Sequence, residues 1–261
     1  ELRRSKAETP WSLAAAEATR RLPSLTFEEL AEVANALAFG PSISPRCGGL
    51  SSPWPELVKE ILVKMPMVEQ PSLLSVRRSA TALQRMMVQD EAWASCLAKH
   101  LTTLEKQPLT EEESRSLSTV VDAFVALQGQ LSEEARTAAW LGICRAASCC
   151  SGAAGTLALA RHLVAPEMPS DPIVTEAFEA TLKRAALAEL EVAEVALLLN
   201  AAARAPRREA AELSPEASLV LMTLASRMAE HLRRDEGSPR DAANALDALG
   251  RLSVENDELF E

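Results

Sequence analysis

The sequence predicts an all-α fold, an α-solenoid of stacked helix-turn-helix units with a period of about 40 residues. Three observations carry that prediction. Hydrophobic residues make up 48% of the chain but aromatics only 3%, with no Tyr. A core of Ala, Leu and Val suits close helix packing, whereas sheets favour β-branched and aromatic side chains. Sustained period-two alternation is missing, while apolar residues recur at helical spacing. Finally, the chain resembles itself: Thr26–Gly40 aligns without a gap with Ser238–Leu252. Thr26 matches Ser238, Glu29 matches Asp241, and Asn35-Ala36-Leu37 matches Asp247-Ala248-Leu249. The same polar-Ala-apolar core returns at Thr81-Ala82-Leu83 and Asp122-Ala123-Phe124, with a degenerate copy at Asn200-Ala201-Ala202. The anchors Asn35, Thr81, Asp122, Asn200 and Asp247 are 46, 41, 78 and 47 residues apart. The double interval implies a worn copy inside it, at Ser151–Val164.

Taken in order, Thr9 caps and Pro10 opens a helix to about Leu22, the second helix of a truncated repeat. Leu25–Gly40 is the first helix of repeat one, stopped by Gly40-Pro41. Residues 41–55 hold four Pro and two Gly and read as a long loop. Glu56–Lys64 is the second helix. Ser72–Val88, with Leu73, Val76, Ala80, Leu83 and Met87 on one face, pairs with Asp90–Leu104. Thr110–Leu127, opened by a capping-box-like Thr110 and Glu113, pairs with Ser132–Ala147. Ser151–Val164 and Asp171–Ala186 are parted by the breakers Pro166 and Pro169. Ala188–Arg204 pairs with Ser214–Arg234. Ser238 is an N-cap, Pro239 fits the first helical position, and Ala242, Ala245, Leu246, Leu249 and Leu252 follow as one apolar stripe. Residues 1–261 then form one array of about six helix pairs with incomplete ends. No pair can bury its apolar face alone, so neighbours must stack.

Composition narrows the function classes. Net charge is −10 and the pI about 5.0, the reverse of a free-standing nucleic-acid binder, whose affinity rests on neutralising phosphates. Five Cys without regular spacing argue against a disulfide framework and for a reducing compartment or inert core thiols. No apolar run approaches the roughly 20 residues of a membrane helix, so no membrane insertion is expected. Glu1 in place of Met reads as a trimmed start, with any targeting peptide outside the chain.

Few side chains suggest chemistry. Cys144, Cys149, Cys150 and His162 are the one metal-capable cluster, but paired zinc spacings are lacking and small buried thiols explain it better. His100 and His231 sit near helix C-termini, where the dipole favours a partly protonated imidazole, and neither is paired in sequence with a nucleophile. No catalytic residue, metal or cofactor is expected. Acidic pairs such as Glu28-Glu29 fall in first turns, where carboxylates stabilise the helix. The candidate RNA-binding residues are two basic clusters: Arg77, Arg78 and Arg85 on a helix free of acids, and Arg204, Arg207 and Arg208 around a turn. Patchy phosphate contact is one reading, and ordinary solvated faces or salt bridges the favoured one. The recurring anchors are read as inter-helix hydrogen-bonding or solvated positions rather than a nucleotide-reading surface.

The two best units, "LTFEELAEVANALAFG" and "SPRDAANALDALGRL" followed by "DELF", resemble octotricopeptide and heptatricopeptide repeats, found in FAST-kinase-like and RAP-domain proteins. The resemblance implies a non-catalytic repeat protein of an organellar RNA–protein assembly, a mitochondrial ribosome component by expectation. It would sit in the mitochondrial matrix, with rRNA and neighbouring proteins as partners. The alternative is a purely protein-binding scaffold, which the acidic charge favours.

Overall fold

The computed structural model describes residues 17–39, 54–151, 153–165, 168–169, 171–204, 214–234 and 236–252. Among them every regular element is helical and no strand occurs; residues 17–21, the described end of the helix expected from Thr9 to about Leu22, are helical too. The helices are α1 (Phe27–Phe39), α2 (Trp54–Lys64), α3 (Leu73–Arg85), α4 (Glu91–Thr102), α5 (Glu111–Leu127), α6 (Glu133–Ala147), α7 (Ala153–Leu163), α8 (Pro172–Leu187), α9 (Val192–Arg204), α10 (Pro215–Arg233) and α11 (Pro239–Leu252). Short 3-10 turns at Leu22–Ser24, Met65–Met67 and Gln128–Gln130, which periodicity does not announce, fall between helices. The loop expected over 41–55 lies outside the described residues as far as residue 53, and Trp54 and Pro55 already belong to α2.

Polar residues fix where the helices start. Thr26 and Glu29 form a reciprocal capping box, the Glu29 amide donating to Thr26 Oγ1 (3.3 Å) and the Thr26 amide to Glu29 Oε2 (2.8 Å). Thr110 and Glu113 repeat it at 3.3 and 2.8 Å. Ser238 and Asp241 do the same at α11 with the shorter carboxylate, at 3.2 and 3.3 Å. The two segments that align in sequence thus start with the same hydrogen bonds. Ser72, Asp171 and Ser214 cap α3, α8 and α10 in the simpler way, each accepting one first-turn amide.

The chain divides into two compact units, one of Glu1–His100 with Thr119–Arg136, the other of Leu101–Ser118 with Thr137–Glu261. In the first, α1 packs on α2 and on α3, around a core that includes Phe27, Leu30, Leu57, Ile61, Leu83 and Trp93. In the second, α7 packs on α8, α9 on α10 and α10 on α11. Contacts two helices along join α7 to α9, α8 to α10 and α9 to α11. Trp140, Ile143, Leu159, Leu182, Leu198 and Leu224 are fully buried there. Burying side chains of this size is worth about 1.5–3 kcal/mol each, the main term holding such helices together.

Two glycines set how closely helices approach. A Cβ on Gly142 of α6 would lie 1.9 Å from the Leu101 carbonyl oxygen at the end of α4. One on Gly155 of α7 would lie 2.7 Å from Ser114 Cβ on α5. Both contacts need a residue without a side chain. Gly237, at φ +91° between α10 and α11, supplies a left-handed turn that also abuts Val192.

Cations tie helix ends that are far apart in sequence. Helix C-termini leave carbonyl groups without intrahelical partners, and the dipole there favours positive charge. Lys64, ending α2, donates to the carbonyls of Leu22 (3.3 Å), Pro23 (2.9 Å) and Leu25. Arg145 of α6 reaches Thr102 (2.9 Å) and Leu104 (3.3 Å) at the end of α4. Arg184 of α8 reaches Ala147 and Ser148 past α6, and Arg227 of α10 reaches Ala188 past α8 (2.8 Å).

Two expected core positions are not buried. The apolar spacing puts Met87 on the buried face of a helix reaching Val88, but α3 ends at Arg85. Met87 takes a left-handed φ of 54° and is 85% exposed. Leu246, placed on the α11 stripe, is 38% exposed. The buried face of α11 is Ala245, Ala248 and Leu249, and Leu246 stands about 100° around from Ala245.

Candidate nucleic-acid interface

The first candidate cluster sits on α3, which packs against the acidic α1. Arg78 Nη1 lies 2.7 Å from Glu32 Oε1 of α1. The Arg85 guanidinium stands 3.6 Å over the Phe39 ring, and its Nη1 is 3.5 Å from the Ala38 carbonyl oxygen. Two of the three arginines therefore hold α3 to α1 rather than facing solvent unengaged. Arg77, half-buried, has no ion-pair partner among the described residues. In the second cluster Arg204 is exposed in the last turn of α9, and Arg207 and Arg208 lie outside the described residues.

The sequence showed α3 as a helix without acids. It did not show that the compensating carboxylate stands 46 residues earlier, on α1. The helix-end cations Lys64, Arg145, Arg184 and Arg227 were missed altogether. Their signal is a Lys or Arg in the second half of α2, α6, α8 and α10, at intervals of 81, 39 and 43 residues. These cations too are engaged, with carbonyl groups as acceptors.

Among the anchors, Asn200 Nδ2 on α9 donates to the Asn244 carbonyl on α11 at 3.4 Å, a link between helices of one unit. Asp247 pairs with Arg251 of its own helix at 2.9 Å. Asn35 and Thr81 are half-buried.

The thiols and imidazoles follow burial. Cys144 is buried and its thiol is pushed up to about 12, Cys150 likewise to about 11, by loss of hydration around the thiolate. Both stay protonated and unreactive at neutral pH. His162 accepts from Arg161 Nε at 3.3 Å, and no group of three potential metal ligands occurs among the described residues. His100 departs from the expected partly protonated state. It is buried in the last turn of α4, and burial pushes its pKa down to about 4. A helix dipole offers about 0.3–1 kcal/mol to a cation, whereas this depression corresponds to roughly 3 kcal/mol against it, so desolvation wins. His231, partly exposed, instead lies 2.6 Å from Glu236.

No helix among the described residues is long and apolar enough to cross a membrane. Comparison with known proteins adds no relative: neither a family model, nor a curated protein, nor a solved structure matches this chain.

Proposed function

We propose that this chain is a non-catalytic α-solenoid that works as a protein-binding scaffold. The observation that carries the reading is the engagement of α3. Arg78 is paired with Glu32 and Arg85 stands over Phe39, so two of the three cations on the most basic described helix of an acidic chain are engaged in holding α3 to α1. A surface that tracks phosphates needs unengaged cations in series, because counterion release at each contact supplies the affinity. The contacts between helices two apart support the stacked-pair architecture. Anisotropy titrations of the purified chain with labelled single-stranded and duplex RNA at low salt test this, alongside crosslinking in the native assembly. Absence of saturable RNA binding together with crosslinks to protein is expected. Tight RNA binding that weakens steeply with salt would overturn it.

A second reading, direct RNA contact within an organellar ribonucleoprotein, is favoured by Arg77 and Arg204, which have no carboxylate partner among the described residues. The likeness of Thr26–Gly40 and Ser238–Phe260 to octotricopeptide repeats supports the mitochondrial setting of that reading. Arg77→Glu and Arg204→Glu separate the two: loss of RNA crosslinks with an unchanged fold favours RNA contact, and silence of both favours the scaffold.

A further inference from the structure

We draw no further inference here: the strongest candidate, the exposed Leu219 and Met222 stripe on α10 between the ion-paired Glu216 and Glu230, carries nothing because nothing in the structure shows what covers it.

Discussion

Arg184, near the end of α8, donates to the Ala147 carbonyl oxygen at the end of α6, with Nη1 to O at 3.2 Å. A guanidinium suits the role because its fork also serves the neighbouring Ser148 carbonyl, which a single ammonium could share only at worse angles. The bond joins helices two apart, and Arg145 and Arg227 make the same kind of link one step before and after. The second unit is therefore braced at its helix ends as well as through its apolar core.

Removing that brace should cost stability without altering the core. Arg184→Met keeps the length of the stem and deletes the donors, leaving carbonyl groups that have lost a charged partner. The expected loss is about 1.5–3 kcal/mol, with Arg184→Lys in between. Urea unfolding followed by circular dichroism reads it as a lower midpoint at constant slope. An unchanged midpoint for Arg184→Met would show the bond to be energetically idle.

Glycine substitutions divide sharply by position. Gly142→Ala drives a methyl group into backbone atoms of Leu101, which cannot rotate away, so helix α6 must shift from α4. A loss of about 2–3 kcal/mol is expected from such overpacking. Gly250→Ala, on α11 with nothing within 4 Å of the added carbon, should gain about 0.5–1 kcal/mol from helix propensity alone. Thermal melts of the two proteins should move in opposite directions.

Leucines in the two aligned segments should respond unequally. Leu37→Asp and Leu249→Asp each place a carboxylate in a site 5% or 1% exposed, at about 3–5 kcal/mol for an unpartnered buried charge. Leu246→Asp changes a 38% exposed residue and should cost less than about 1 kcal/mol. Equal melting temperatures for the Leu246 and Leu249 variants would contradict the orientation of α11.

These contrasts mark how far the sequence could be read. Starts of helices were legible because their determinants are local: Thr26 and Glu29, Thr110 and Glu113, Ser238 and Asp241 lie three residues apart and bond to each other. The end of α3 was not legible, because Met86 and Met87 continue the apolar spacing and only a left-handed turn at Met87 breaks it. The candidate interface was legible as composition, not as chemistry. Glu32 and Phe39 decide what Arg78 and Arg85 can do, and they are brought to them by the packing of α1 on α3, far apart in sequence.

The Arg78–Glu32 pair is open to a direct test. Its carboxylate is 66% exposed, so Arg78→Glu should cost only about 0.5–1 kcal/mol, including the new like-charge contact. The swapped pair Arg78→Glu with Glu32→Arg should recover most of that in a double-mutant cycle. If the two changes are strictly additive, the pair contributes nothing to joining α1 and α3.

His100 should give the fold an acid sensitivity of defined sign. Its pKa is about 4 when folded and near 6.5 when unfolded, so between those values the unfolded chain binds the proton more tightly. Stability is then fully present above pH 6.5, falls as pH drops through the window, and levels off below 4 as far as this group is concerned. The depression corresponds to roughly 3 kcal/mol. His100→Gln keeps a polar side chain of similar reach but cannot titrate. Urea midpoints measured between pH 7 and 4.5 should therefore decline more steeply for the parent chain than for His100→Gln, since the carboxylates contribute to both. Parallel declines would mean that the imidazole titrates in the folded protein as it does in the unfolded chain, and that the end of α4 is wetter than its burial indicates.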